Sequence, residues 1–386
     1  MKHILSLFLL ISISSYSQTV EVGTDSLSFY ESNFQYLKAI SYIDRIYNGK
    51  EIPRDLKEKK AIYYSKIGKN AEAVKMYKDI FALDTLSIAI GIDLAQQLTK
   101  QRKYKEAQTL YESLIRMDSS NFYLNRNLAL VYFKNKKPYK SIKTYYINHK
   151  IDSTDIETIS SIAKIFLKQE HAGKASQWAS KGLKIEPSNV DLLFTKAKAE
   201  HQRKFNKDAI EILDKILAQG DTLQEYARLS GVCNFDIHNY EEAIFWFSKF
   251  DDALNETEVI HYYLGKSYQE LGDDKKAEKH FKKAIQLGTS AYMTSYYELL
   301  AYSFVGQKKY KQAISTWEKL YVLQPYVKYL FYVGNIYETY LNNYKTALSY
   351  YQKVLDIDKD LNSPIRNKAS RRIAEVKKQM HFRGEL

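Results

Sequence analysis

The chain has 386 residues, 45% of them apolar, which suffices for two or three ordinary domains or for one extended repeat array. Five prolines and fourteen glycines are too few for a loop-rich all-β protein of this length, whereas helix-forming residues are plentiful. A single cysteine, Cys233, excludes an intramolecular disulfide, and the net charge of +13 favours acidic partners, although an AT-rich genome would produce a similar lysine-rich composition.

The first seventeen residues have the pattern of a secretory signal peptide. Lys2 precedes an apolar run at 4–13, and Ser15 and Ser17 supply small residues where a signal peptidase cleaves. The run is shorter than the ~20 apolar residues that span a bilayer as a helix, so a permanent anchor is the weaker alternative. No cysteine lies near the junction to carry a lipid. We therefore expect residues 1–17 to be removed and the protein to be exported to the periplasm or cell surface, not as a lipoprotein.

Residues 18–53 are predicted to form an N-terminal helical cap or a degenerate repeat. Residues 27–48 have the pattern of one long helix or of a broken pair of helices. Asn48 and Gly49 end this segment, and Pro53 separates it from the region that follows.

From residue 54 onwards, small residues recur with a fixed period, which identifies a repeat protein. Each step is 34 residues, apart from one two-residue insertion before the eighth member. The nine recurring residues are Ala73, Ala107, Ser141, Ala175, Ala209, Ala243, Ala277, Ala313 and Ala347.

Each period has the marks of two packed helices. A second small residue lies twelve positions before eight of the nine markers, as at Gly265, and a large residue lies four positions after most of them, as at Phe281. Antiparallel helices approach closely where small side chains meet, and large residues one turn away fill the space beside them. Turn signals such as Gly68 and Gly272 separate the two helices.

In length and in the order of its small, aromatic and proline positions, this pattern resembles the tetratricopeptide repeat family over residues 54–361. The clearest repeat is VIHYYLGKSYQELGDDKKAEKHFKKAIQLG at 259–288. The resemblance implies an all-α fold in which tandem helix-turn-helix repeats stack as a right-handed α-α superhelix. The nine predicted repeats are 54–87, 88–121, 122–155, 156–189, 190–223, 224–257, 258–293, 294–327 and 328–361.

The last segment, 362–386, is predicted to be a capping helix with a basic outer face. Ser363 followed by Pro364 is a favourable helix start. A repeat array requires such a helix to cover its last apolar surface.

No residue pattern indicates catalysis. The histidines are scattered, without the three- or four-residue spacing that places two metal ligands on one helical face. Gly265-Lys266-Ser267 lacks the earlier glycine of a phosphate-binding loop, and Cys233 occupies a packing position. We expect no enzyme activity, no metal site, no cofactor and no small-molecule substrate.

The family resemblance implies that the first helices line a concave groove through the second, fifth, ninth and twelfth positions of each repeat. At the fifth and ninth positions of repeats three to seven, five of ten residues are basic and none is acidic. The candidate groove residues are Arg126, Phe133, Lys164, Phe194, Lys198, His201, Arg228, Phe235, Tyr262, Lys266 and Tyr302.

Two partner classes follow from these residues. In the first, the protein is a non-catalytic scaffold of the bacterial cell envelope whose groove binds an extended acidic segment of another protein. In the second, its positive charge, including KASRRIAEVKK near the C-terminus, binds a polyanion: a glycan, a lipid surface or nucleic acid. Export disfavours nucleic acid. The groove cations could equally be solvated lysines and arginines of an ordinary helix surface.

Overall fold

A computed structural model describes residues 24–220, 224–249, 257–288 and 292–384. Over these ranges it contains twenty-one α-helices and no β-strand, which confirms the predicted all-α class. The predicted signal peptide, residues 1–17, lies outside the described residues. None of the described helices combines the length and the apolar character needed to cross a bilayer.

The chain divides into two compact units, Met1–Ile165 and Phe166–Leu386, and the division falls inside one helix. The helices of the first unit are α1 (Thr24–Ser32), α2 (Tyr36–Tyr47), α3 (Arg54–Lys66), α4 (Asn70–Leu83), α5 (Ile88–Lys100), α6 (Tyr104–Met117), α7 (Phe122–Lys134), α8 (Pro138–Ile151) and most of α9 (Ile156–Lys168).

The second unit contains the end of α9 and the remaining helices. They are α10 (Ala172–Ile185), α11 (Val190–Gln202), α12 (Asn206–Leu217), α13 (Gln224–Asp236), α14 (Tyr240–Ser248), α15 (Glu258–Glu270), α16 (Asp274–Leu287), α17 (Met293–Gly306), α18 (Tyr310–Leu323), α19 (Val327–Thr339), α20 (Tyr344–Ile357) and α21 (Pro364–Phe382).

Within each unit, consecutive helices pack as antiparallel pairs, and small residues set the distance between them. In the pair α15/α16, a methyl group added at Gly265 would lie 2.6 Å from the ring of Phe281. Gly231 stands in the same relation to Phe247, at 2.8 Å. Phe281 and Phe247 are both fully buried. The small and large residues that recur along the sequence are therefore the residues through which the two helices of a repeat contact each other.

Ser141 occupies a position where the other repeats have alanine, and its hydroxyl is satisfied inside the core. The side chain is fully buried on α8, and its Oγ donates a hydrogen bond to the backbone oxygen of Ala129 on α7, at 2.6 Å. Because a buried hydroxyl without a partner would cost about 1–3 kcal/mol, this bond allows serine to replace alanine.

The turn between the two helices of each repeat contains one residue in the left-handed backbone region. These residues follow the same 34-residue period and the same two-residue insertion as the small residues. They are Gly68, Arg102, Lys136, Glu170, Lys204, His238, Gly272, Lys308 and Asn342. Only two are glycines, although the conformation costs other residues roughly 1–2 kcal/mol.

The first and last described helices are packed against neighbouring repeats. The segment at 27–48 is a broken pair, α1 and α2; Lys60 of α3 pairs with Asp44 of α2, and Tyr63 donates to Glu31 of α1. At the other end, Arg372 of α21 pairs with Glu338, a buried carboxylate of α19.

Candidate partner-binding faces

The eleven candidate groove residues all lie on the first helices of helix pairs. Three belong to the first unit, Arg126 and Phe133 on α7 and Lys164 on α9, and we name them the first-unit face. The other eight, on α11, α13, α15 and α17, form the second-unit face. They are Phe194, Lys198, His201, Arg228, Phe235, Tyr262, Lys266 and Tyr302.

On the first-unit face, Arg126 is already paired. Its guanidinium lies 2.7 Å from the carboxylate of Glu157, the second residue of α9, and over the rings of Phe122 and Tyr123. Phe133 is partly buried, and Lys164 is exposed. A partner carboxylate would therefore have to compete with Glu157 for Arg126.

In the second unit, Phe194 and Lys198 form the first part of the face. The Lys198 ammonium lies 3.9 Å from the centre of the Phe194 ring and 3.5 Å from Glu225 on α13. The ring of Phe194 packs edge-on against Tyr226, with centroids 4.6 Å apart. The ring thus carries a cation on one side, while its edge is held by the next repeat.

His201 lies in a small polar cluster at the end of α11. Its Nδ1 is 2.8 Å from Oδ1 of Asn206, 3.7 Å from Sγ of Cys233 and 3.8 Å from a carboxylate oxygen of Asp236. Because the asparagine oxygen can only accept, Nδ1 carries the proton in this geometry. Burial, with a contribution from the Asp236 carboxylate, raises the pKa of the Cys233 thiol to about 12, so that the thiol stays protonated and is a poor nucleophile.

Arg228 and Phe235 lie on α13. Arg228 is exposed, and no carboxylate of the described residues is within ion-pair distance of its guanidinium. Phe235 is partly buried and packs edge-on against Tyr240 and Tyr263, at 5.6 and 5.1 Å between centroids. Of these two, Arg228 is the residue available to a partner.

A hollow lined by four tyrosines lies between α15 and the start of α17. It has a volume of about 380 Å³. The described residues that line it are Val259, Tyr262, Tyr263, Tyr292, Ser295 and Tyr296. The rings of Tyr262 and Tyr296 approach to 5.8 Å, from adjacent first helices. Tyrosine walls combine apolar area with hydroxyl groups, as is typical of protein-binding hot spots.

Two predicted residues lie near the hollow without lining it. Lys266, one turn further along α15, pairs with Glu270 at 3.1 Å. Tyr302 on α17 is 44% exposed and packs edge-on against Trp317, 5.1 Å between centroids. Burial of its hydroxyl, together with a hydrogen bond to Tyr332, raises the pKa of Tyr302, so it is a neutral ring at physiological pH.

At least three of the five predicted face cations therefore have carboxylate partners within the protein: Arg126, Lys198 and Lys266. Two of the partners, Glu157 and Glu225, belong to the next repeat. Both glutamates occupy the second position of that repeat, whereas the excess of basic residues was found at the fifth and ninth positions. The acidic residues at second positions therefore reduce the positive charge of the faces.

The structure also brings together two histidines that are nineteen residues apart. His261 of α15 and His280 of α16 are buried, with their Nδ1 atoms 3.0 Å apart, and Tyr268 stacks on His280. No group of three or more histidine, cysteine or carboxylate side chains in the described ranges is arranged to hold a metal ion. The pair therefore belongs to the contact between the two helices.

Family models of the tetratricopeptide repeat match three segments, 92–146, 259–289 and 333–365. The chain carries tetratricopeptide repeats. Proteins built from these repeats generally mediate protein–protein interactions and act as scaffolds, and they are typically non-catalytic. The segment 259–289 covers nearly the whole of α15 and α16, the helix pair in which Gly265 contacts Phe281.

Sequence relatives match only one part of the chain. The photosystem I assembly protein Ycf3 from two Synechococcus strains is 36% identical over 55 residues, which is 14% of this chain and 32% of each relative. The match thus spans about a third of the length of these relatives.

Among solved structures, a tetratricopeptide repeat protein from Parabacteroides merdae aligns with a TM-score of 0.50 at 17% identity. The alignment covers 65% of this chain and 98% of that one. At this level of identity, the similarity shows the shared fold alone.

Proposed function

We propose that the protein is a non-catalytic scaffold whose second-unit face binds an extended segment of a partner protein. The observation that carries this proposal is the tyrosine hollow between α15 and α17. A hollow of about 380 Å³ with aromatic walls can take one large apolar side chain of such a segment.

Charge gives the proposed partner a second feature. Arg228 is exposed and has no ion-pair partner among the described residues, and Lys198 and Lys266 have exposed partners that a ligand could replace. Surface ion pairs of this kind contribute at most about 1 kcal/mol, so exchanging one carboxylate for another costs little. We therefore propose an acidic segment with an apolar side chain near its carboxylates.

The test uses a photo-crosslinking residue at Val259, which lies at the hollow and is 43% exposed. The proposal expects crosslinking to one segment of one partner, and no such product from a matched probe at the exposed Lys279 of α16. A synthetic peptide covering that segment should then bind at least about tenfold more weakly to Tyr262→Ala. Capture that is unchanged in the double variant Arg228→Glu/Lys266→Glu would refute the acidic character of the partner.

We also propose that the scaffold works in the cell envelope. Support comes from the basic residue, apolar run and small residues of the first seventeen positions. Fractionation of the native host followed by mass spectrometry of the N-terminal peptide tests this proposal. A mature chain beginning at Gln18 in the periplasmic or surface fraction is expected, whereas a chain retaining residues 1–17 in the cytosol would contradict it.

A further inference from the structure

The helix α21 has an outer face on which cations are concentrated, without ion-pair partners among the described residues. Its inner face buries Ala369, Val376 and Met380 against the preceding repeat. The opposite side is exposed along the whole helix, and no described element packs against it. The composition of this side is therefore not set by the core.

The inward-facing arginines of α21 have structural partners. Arg366 donates to the backbone oxygen of Leu355, at 2.6 Å, and to that of Asp358. Arg372 pairs with Glu338 and with Glu375, the one acidic residue of the helix. Glu375 is thus engaged with Arg372, although its position on the helix is on the outer side, where its charge offsets part of that of the neighbouring cations.

The outer cations are different. Lys368, Arg371, Lys377 and Lys378 are all exposed, and no carboxylate of the described residues lies within ion-pair distance of them. At 100° per residue, Arg371 and Lys378 project from the side opposite the buried residues and Lys368 projects from the flank, along about 15 Å of helix. These three residues are named the outer basic line.

An exposed aromatic ring ends this line. Phe382 is 76% exposed, and the ammonium of Lys378 lies 6.0 Å from the centre of its ring. An anionic bilayer offers phosphates to lysine and arginine and an interfacial region to an aromatic ring. The combination of exposed cations and an exposed phenylalanine on one side of the helix fits the bilayer.

We propose that the outer basic line and Phe382 form a peripheral binding site for anionic phospholipid headgroups. The inner face of α21 stays in the protein core, so the helix rests on the bilayer without entering it. Each lysine or arginine near an anionic surface strengthens binding by about fivefold at low salt. The site is on a different helix from the second-unit face and does not depend on the partner proposed above.

The experiment is co-sedimentation of the full chain with vesicles of equal parts phosphatidylglycerol and phosphatidylcholine, and with vesicles of phosphatidylcholine alone. Binding is expected only to the anionic vesicles, and it should weaken as salt shortens the screening length. The triple variant Lys368→Gln/Arg371→Gln/Lys378→Gln should bind on the order of 100-fold more weakly.

The control variant Lys275→Gln/Lys279→Gln/Lys311→Gln has the same net charge and removes three exposed lysines elsewhere in the second unit. It should bind like the wild type. Phe382→Ala should cause a smaller loss, and Tyr139→Ala, a ring that is 80% exposed in the first unit, should cause none.

Equal binding to both kinds of vesicle would overturn the proposal, as would equal losses in the two triple variants. If the outer basic line governs retention on heparin or RNA while vesicles are not bound, the site recognises a soluble polyanion and the bilayer is rejected. Circular dichroism and a thermal melt verify that each variant is folded, which is expected because every substituted side chain is exposed.

Discussion

The two compact units are built from the same kind of antiparallel helix pair, and they differ in the residues that their first helices expose to solvent. In the first unit, exposed positions of α3 and α7 carry aliphatic residues, as at Ile62 and Leu130, and Tyr123 is hydrogen-bonded to Gln96. In the second unit, exposed positions of the corresponding helices carry Val259, Tyr302 and Arg228, and no described residue forms an ion pair with Arg228. Packing positions fix the repeat, whereas exposed positions of the first helices are free to specialise.

The largest effects are expected when one large core residue is removed from each unit, which tests whether the helix pairs of both units depend on the same kind of core packing. Phe281→Ala in the second unit should lower the free energy of unfolding by about 3–5 kcal/mol, and Leu114→Ala in the first by about 2–5 kcal/mol, since both side chains are fully buried. Urea unfolding gives the totals, and hydrogen exchange locates the loss. If Phe281→Ala loosens α3–α6 as much as α15–α18, the two cores are not separate.

A smaller effect is expected at Glu278, which accepts hydrogen bonds from Lys282, Lys309 and Gln307 at 2.6–2.8 Å. Burial would raise the pKa of this carboxyl, but the hydrogen bonds from Lys282, Lys309 and Gln307 outweigh it and lower the pKa to about 2. Glu278→Gln should cost about 2 kcal/mol at neutral pH, because hydrogen bonds to charged groups are the stronger ones.

The pH dependence of the Glu278 effect has a defined sign. The folded carboxyl has a lower pKa than the unfolded one, near 4.5, so its stabilisation is complete above that pH and is lost as pH falls towards 2. Unfolding curves of wild type and Glu278→Gln should therefore converge between pH 4.5 and 2. A difference that stays constant over this range would contradict the role of the charge.

A glycine at a close helix–helix contact in each unit allows a smaller difference between the units to be tested. A methyl group at Gly265 would lie 2.6 Å from the ring of Phe281, whereas one at Gly91 in the first unit would lie 2.6 Å from the end of the Leu114 side chain and 3.1 Å from the ring of Phe81. Overpacking should outweigh the gain in helix propensity for Gly265→Ala and cost about 1 kcal/mol net. Gly91→Ala should be close to neutral. Equal costs would mean that the stiffness of the neighbour does not matter.

The smallest expected effect is a gain in stability at the left-handed turn residues. Lys204→Gly in the second unit and Lys136→Gly in the first should each stabilise the protein by about 0.5 kcal/mol, because glycine relieves the strain at φ 66° and 58°. Lys207→Gly, three residues away in the first turn of α12, is the matched control and should destabilise the protein by less than about 1 kcal/mol, the cost of glycine in a helix interior. Thermal melts should show a higher melting temperature than the wild type for Lys204→Gly and Lys136→Gly, and a lower one for Lys207→Gly.

Much of the fold could be predicted from the sequence because small residues such as Ala277 recur every 34 positions, and close helix packing requires them there. The turns were only partly visible. Gly68 and Gly272 signal a left-handed residue, but Lys204 and Glu170 carry no such signal, and the surrounding helices impose the conformation on them.

The candidate site was less predictable, because its contacts cross from one repeat to the next. Glu225 pairs with Lys198 across a gap of 27 residues. The position of Tyr262 within its repeat predicts that it lies on the face. Tyr292 lies just before α17, and it lines the hollow only because that helix packs on its neighbours. The charge balance and the aromatic walls are therefore tertiary properties.

The uniform turn has an evolutionary consequence. Lys204 and His238 hold the same left-handed conformation at equivalent points of successive repeats, and each is followed by the start of a second helix. Joining Lys204 directly to Asn239 would delete one repeat while leaving a turn of the usual shape at the junction. A gene encoding this chain can therefore gain or lose whole repeats by recombination at these turns, which would lengthen or shorten the binding face without redesigning the core.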